Sequence, residues 1–475
     1  MRICPFCKSN VEENWYYCRS CNKPLIANLE SDLDRSFNYL SERKNYNQSA
    51  LEDIEEDFDV AIIKDKKIDQ KIKKINEILE NKETLKEPIP GSLLLEKSSL
   101  YYKKRDLANA EKNLKLALKN FKEENDKLNI AICYNELGLI QEDNGFFDQA
   151  IYNFNRSLEI LREYNDIHKN IMILNNLGNV YYLLKDLEHS YKYYQEALHL
   201  SEKENFKFEE IKSASNLVEV LFELKNFNRI ERILDRNAQF FNENEDFYGI
   251  VYTQIKYGKL YFLQGKDYDL SYQHLKDALD LIKKGNSTVS IYVKAKLEWE
   301  VLYFLGKLQL LWKNIHNAEN LLLQSLEAVR IFGIRDNINE GKILEEIAKV
   351  YSVEGEDKRA VEFYKLSYDI YFKFGDNLKC AELKYKIAQL YSEMQCNESA
   401  AVEYFEEALK IYENLGHIKE VAVLLHKLGD YYLHSGMTDL ALPNFERARD
   451  YFKELEDNDN VNLLEEKMKS LTETY

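Results

Sequence analysis

A forty-residue period limits what this chain can fold into more than any other feature. Its clearest copy is LNNLGNVYYLLKDLEHSYKYYQEA, residues 174–197, where Leu177-Gly178 is followed by Tyr181, Ser190, Tyr194 and Ala197. One small residue on each of two amphipathic helices describes a helical hairpin whose backbones approach closely. Aligned on the first small position, the copies are Ser98, Gly138, Gly178, Val218, Gly258, Gly306, Ala348, Ala388 and Gly429, at steps of 40, 40, 40, 40, 48, 42, 40 and 41 residues. The second helix carries its small residue at Ala110, Ala150, Ser190, Ile230, Ser271, Ala318, Ala360, Ala401 and Ala441. Four residues later stands a large one: Leu114, Phe154, Tyr194, Leu234, Leu275, Leu322, Tyr364, Phe405 and Phe445. Nine helical hairpins in series follow. The fold class is all-α, a solenoid.

Composition agrees. Five prolines and sixteen glycines in 475 residues favour long helices over a loop-rich or all-β fold. No apolar run is long enough to span a bilayer, and Met1-Arg2-Ile3-Cys4 has no apolar leader, so a cytoplasmic location is expected. The net charge of −17 disfavours a general nucleic-acid groove while leaving room for a local basic site.

The chain begins with Cys4, Cys7, Cys18 and Cys21 as CxxC-x10-CxxC. Two such knuckles bring four thiolates onto one Zn²⁺ and close its coordination, which makes the site structural. A segment of 25 residues buries no core of its own, so metal binding would supply its folding free energy, on the order of 10–16 kcal/mol. It resembles the short zinc ribbons of prokaryotic proteins, although its ten-residue gap is short and Lys8 stands where a glycine is usual. Arg2, Lys8, Arg19 and Lys23 against Glu12 and Glu13 leave the zinc-loaded ribbon close to neutral. The other cysteines, Cys133, Cys380 and Cys396, fall in helical pattern and read as small core residues.

Residues 26–91 form a helical linker with two apolar stripes, Leu51, Ile54, Phe58, Ile62 and Ile68, Ile72, Ile75, Leu79, read as two modest helices. They cap the array, tether the ribbon or pair with another copy through residues 50–80. Pro88, Pro90 and Gly91 end the linker. The array then occupies residues 92–449, and residues 450–475 include a capping helix over 461–473. Pro443, inside the last repeat, is expected to shorten or kink its helix.

With its Leu-Gly, Tyr, Ala, Phe, Ala series, the array resembles the tetratricopeptide repeat over about three quarters of the chain. The family's usual period is 34 residues; forty requires longer helices or longer links. The resemblance implies a right-handed superhelix with the first helices on its concave side. It also implies that positions just after and two or three before the small residue face a peptide-binding groove. Those positions are Asn135, Asn175, Asn176, Asn179 and Asn216, then Lys259, Lys307 and Lys349. Asparagine offers donor and acceptor together, which suits a peptide backbone. The lysine column would favour an acidic peptide or a carboxylate end.

Nothing points to catalysis. No two glycines are closer than seven residues, which removes phosphate-cradling loops, and neither HExxH nor GxSxG occurs. The expected function is a non-catalytic adaptor with an extended peptide or a helical segment of another protein in the groove and the zinc ribbon as a second docking module. Alternatives are a regulator whose ribbon contacts nucleic acid or transcription machinery while the repeats sense a peptide, and a self-associating structural subunit.

Overall fold

The computed structural model describes residues 2–3, 10–11, 57–104, 106–284, 291–332, 337–394 and 398–473. Among them are twenty helices and one antiparallel pair of two-residue strands, Arg2–Ile3 with Asn10–Val11. That pair brackets Cys4 and Cys7 in sequence. The ribbon cysteines Cys4, Cys7, Cys18 and Cys21 lie outside the described residues, as does Cys396.

Helix α1, Asp57–Leu85, is one helix of 29 residues in place of two. Nothing between Ile62 and Ile68 breaks it, since Lys64-Asp65-Lys66-Lys67 contains neither glycine nor proline. Leu51 and Ile54 lie outside the described residues. Ile72, Ile75 and Leu79 are buried in one core with Leu94 and Leu100 of the next helix, and Lys104 Nζ lies 2.5 Å from Asp69 Oδ1.

Nine hairpins follow. In the first compact unit, Met1–Val301, they are α2 (Gly91–Lys103) with α3 (Leu107–Glu123), α4 (Lys127–Asp143) with α5 (Phe147–Glu163), and α6 (Ile167–Leu183) with α7 (Leu187–Lys203). Then come α8 (Lys207–Glu223) with α9 (Phe227–Glu243), and α10 (Phe247–Gln264) with α11 (Tyr268–Lys284). Helix α12, Ile291–Leu311, begins in this unit and ends in the second, Leu302–Tyr475, where its Gly306 meets Leu322 of α13 (Ile315–Phe332). The second unit continues with α14 (Asn337–Glu354) and α15 (Asp357–Lys373), α16 (Asn377–Glu393) and α17 (Glu398–Leu415), and α18 (Ile418–His434) and α19 (Thr438–Glu454). Helix α20, Asn458–Glu473, closes its end by burying Val461, Leu464 and Met468.

From Leu107 to Glu243 each helix has seventeen residues and each turn three, so the true module is twenty residues. The longer period lies in the helices. Each turn places its middle residue in the left-handed region: Asn125, Gly145, Asn165, Lys185, Asn205, Lys225 and Glu245. Asparagine and glycine adopt this conformation readily, whereas lysine and glutamate pay about 1–2 kcal/mol. Aspartate often follows and caps the next helix. Asp126, Asp166 and Asp186 each accept a 3.1 Å hydrogen bond from the amide three residues on.

Inside the hairpins, Gly178 faces Tyr194 as the sixteen-residue spacing predicts. A Cβ there would lie 2.6 Å from the Tyr194 ring, and Ser190 Oγ donates to the Gly178 carbonyl at 2.8 Å. Gly138, Gly258, Gly306 and Gly429 meet Phe154, Leu275, Leu322 and Phe445 in the same way. Three residues beyond the small position a cross-hairpin pair recurs in several repeats. Tyr181 stacks on Tyr193, Tyr351 on Phe363 and Tyr391 on Tyr404, and Asn153 donates to Gln141 in the second repeat.

The fourth hairpin departs where its sequence does. Val218, Ile230 and Asn237 are all fully buried, and α8 packs along more of α7 than of its own partner α9. The 48-residue step goes partly into α12, which has twenty-one residues; residues 285–290 lie outside the described ones. Pro443 does not shorten α19, which runs its full seventeen residues. Proline in the second turn removes only the bond to the Asp439 carbonyl.

Candidate functional site

The groove positions belong to a polar ladder joining successive first helices at a separation of about one repeat. Asn176 Nδ2 donates to Asn135 Oδ1 at 3.0 Å, and Asn216 Nδ2 donates to Asn175 Oδ1 at 3.0 Å, each pair 41 residues apart. The helices α4, α6 and α8 are thus tied amide to amide. Single-repeat reading misses this pattern, because the partner sits one residue out of phase in the next copy.

The five asparagines are not equivalent. Asn175 is 0% exposed, and its amide also donates to the Ile171 carbonyl at 3.0 Å and to Ser213 Oγ at 2.9 Å. It is occupied in holding α6 to α8 and does not reach a ligand. Asn176 and Asn216 are buried at the edge of the same face, and Asn135, half-buried, donates to Glu136 Oε1 at 3.2 Å. Asn179 is half-buried and its Oδ1 accepts from the Tyr194 hydroxyl, while its amide N–H groups find no partner among the described residues. Beside the ladder, a narrow crevice between α6 and α8 is lined by Ile171, Met172, Asn175 and Phe208 and crossed by His168 Nε2 to Glu209 Oε1 at 2.7 Å.

The lysine column is not an unpaired basic wall. In the first unit Lys259 Nζ lies 3.0 Å from Glu219 and 3.8 Å from Glu300. Lys256, which sequence reasoning passed over, lies 2.8 Å from Glu219 and 2.7 Å from Glu300. Two carboxylates and two ammonium groups close this quartet at zero net charge. Burial alone would raise the Glu219 carboxyl; Lys256 and Lys259 overcome it and hold the carboxyl far below its ordinary range. Burial likewise opposes the Lys256 ammonium, and Glu219 and Glu300 reverse that.

The second unit repeats the device. Lys307 Nζ is 3.2 Å from Glu346, and Lys349 Nζ is 2.9 Å from Glu346 and 3.2 Å from Glu345. Glu345 also meets Lys386 at 2.7 Å and Lys379 at 3.4 Å. The acids fall within the same columns as the lysines: Glu219 occupies the position of Lys259 one repeat earlier, and Glu346 that of Lys256. Reading each column through every copy exposes the alternation.

Glu345 gives the face a measurable acid limit. Burial would raise its carboxyl, but Lys349, Lys386 and Lys379 bring it from 4.5 down to about 2. A folded value below the unfolded one contributes stability that is complete above about pH 5 and lost as pH falls from there through the folded value. Glu345→Gln is therefore expected to flatten the acid side of a melting-temperature profile between pH 6 and pH 3. Superimposable acid limbs would show that this carboxylate is not linked to folding.

Cys133 and Cys380 are buried, and burial pushes their thiols up to about 12 and about 11.

Two segments of the sequence match family models described as tetratricopeptide repeat: residues 91–163, which hold α2 to α5, and residues 173–204, which hold most of α6 and all of α7. These segments are tetratricopeptide repeats. The fold extends further. A signal transduction ATPase with numerous domains, carrying a tetratricopeptide repeat sensor, from Pyrococcus horikoshii, superposes with a TM-score of 0.51 at 14% identity. The match covers 79% of this chain and 55% of that one, so this chain spans about half of its length. The apo quorum sensor NprR from B. thuringiensis matches at TM-score 0.47 and 15% identity over 73% of this chain and 97% of that one. BtubC from P. vanneervenii matches at 0.42 and 15% over 49% and 91%. No curated protein matches the sequence. Among the described residues no helix is long and apolar enough to cross a membrane.

Proposed function

We propose that the chain is a non-catalytic cytoplasmic adaptor whose repeats hold an extended segment of another protein against the first-helix face. Within each compact unit that face is the concave side of a right-handed run. The N-terminal cysteines Cys4, Cys7, Cys18 and Cys21 hold Zn²⁺ in a ribbon that docks a second partner. The observation that carries the reading is the amide ladder Asn135–Asn176 and Asn175–Asn216. Asparagine is a poor helix-interior residue, and here Asn176 and Asn179 on α6 and Asn216 on α8 stand on one face of two neighbouring first helices. Amides on such a face match the alternating donors and acceptors of a peptide backbone. The neutral quartet of the first unit supports a ligand recognised there through its backbone more than through its charge. In the second unit, Lys307, Lys349, Lys379 and Lys386 meet Glu345, Glu346 and Glu382 and keep a preference for an acidic segment.

The test uses the full chain and its Asn176→Ala/Asn179→Ala variant as baits in native lysate, followed by affinity measurement on any protein that distinguishes them. Two lost hydrogen bonds at about 0.5–1.5 kcal/mol each predict an affinity loss of about five- to 150-fold, with the helical circular dichroism unchanged. Equal affinity of wild type and variant for every captured partner would remove the groove from this face.

A further inference from the structure

The charge of this chain is segregated. Residues 64–122 carry sixteen lysines and arginines against nine aspartates and glutamates, whereas the rest of the chain carries 49 against 73. A basic island of this size in so acidic a protein is not general solubility charge, and the helices that bear it show how it is displayed.

On α3 the buried face is Ala110, Leu114, Ala117 and Phe121, and the opposite face carries Lys112, Lys115, Lys119 and Lys122, all exposed. Their spacing of three, four and three residues places four ammonium groups along about 15 Å of one helix face. Lys115 is held by half-buried Glu111 at 2.7 Å, and Lys119 lightly by exposed Glu123 at 3.8 Å. Lys122 rests 5.2 Å above the Tyr134 ring, and Lys112 has no carboxylate in ion-pair range among the described residues. On α1, Lys71, Lys73 and Lys74 are exposed and equally unpaired among the described residues. Burial and the neighbouring Lys112 both depress the Lys97 ammonium, a sign that cations here crowd one another.

We propose that the exposed lysine surface of α1 and α3 binds the phosphate backbone of nucleic acid without reading its sequence. Lysines present compact point charges, which suit phosphates and lack the bidentate fork that reads base edges. A protein partner of ordinary affinity would be anchored by buried aromatic or apolar side chains at the centre of its footprint. The α3 stripe offers Leu116 and no exposed aromatic residue. A regularly charged polymer needs no such anchor, because released counterions supply the binding free energy. The acidic remainder of the chain repels the same polymer and confines it to this end. The site is separate from the peptide face proposed above and stands whether or not that face is used.

The test is fluorescence anisotropy of the full chain with a labelled 30-nucleotide single strand and a 30-base-pair duplex of arbitrary sequence. The titration is repeated between about 50 and 200 mM salt, with and without a zinc chelator. Expected is binding to both probes with little sequence preference, retained after chelation. The log–log salt slope should be about −0.7 per contacted phosphate for the single strand and −0.9 for the duplex. In the Lys112→Gln/Lys115→Gln/Lys119→Gln/Lys122→Gln variant, with melting unchanged, the affinity at the lower salt should fall at least thirtyfold and the slope should become shallower. Lys71→Gln/Lys74→Gln is a second variant for the case that the first fails to fold. The proposal is overturned by absence of binding at the lower salt, by binding that is lost on chelation yet untouched by both variants, or by equal competition from polyglutamate. It is equally overturned if light scattering shows the lysines holding a second copy of the chain in place of the nucleic acid.

Discussion

Replacing Gly249 with leucine is expected to destabilise the first unit by about 3 kcal/mol, near the upper end of what overpacking costs. Even a bare Cβ at this position would lie 1.9 Å from the Phe241 ring, closer than at any other described glycine. Phe241 is 1% exposed and shares a small core with Ile211, Phe208, Phe240 and Ile250, so the ring has nowhere to turn. Gly249 also sits in the first turn of α10, where Asp246 caps its amide at 3.2 Å, so the backbone is fixed too. Urea unfolding followed by circular dichroism measures the loss. The double variant Gly249→Leu/Phe241→Ala should recover part of it, because removing the ring opens the space the leucine needs. An unchanged midpoint in the single variant would mean that α9 and α10 do not meet as described.

This glycine also shows what the sequence could and could not disclose. Gly178 and Tyr194 lie in one hairpin at a spacing that recurs, so their contact is legible from the column alone. Gly249 packs on Phe241 of the preceding hairpin, only in this repeat, and no column announces it. The same boundary runs through the candidate site. That Asn175, Asn176 and Asn179 lie near one face follows from helical periodicity. Which of them is buried depends on the neighbouring helix: Asn175 is enclosed by Ser213 and Asn216 of α8, while Asn179 looks past them. The pairing of the lysines is hidden for a related reason, since reading Lys259, Lys307 and Lys349 down one column passes over Glu219 and Glu346. The single helix α1 was hidden by its charges, which blur an apolar stripe without breaking the backbone.

Lys256→Met is expected to cost about 3–5 kcal/mol at neutral pH, the penalty for breaking a buried ion pair from one side. Lys256 is 6% exposed and lies between Glu219 and Glu300, which are 26% and 15% exposed. Methionine keeps the side chain out to Cε and removes the ammonium, which approaches the Tyr252 ring to 5.2 Å. The loss is therefore mainly electrostatic, with two half-buried carboxylates left to share Lys259. Its pH dependence should run opposite to that of the wild type. In the wild-type protein Glu219 is held below its unfolded value, so acidification removes stability. Without Lys256, burial and the facing carboxylate raise one of the two acids above its unfolded value. That group then takes up a proton on folding, and stability returns as pH falls through the raised value. Denaturant unfolding at pH 7, 5.5 and 4.5 should show the deficit shrinking with acidification, and Lys256→Met/Glu300→Gln should be less destabilised than Lys256→Met at pH 7. A deficit that stays constant or grows on acidification would show that Glu219 and Glu300 do not face each other across Lys256. The alternating charges would then be surface pairs, with the small energies such pairs contribute.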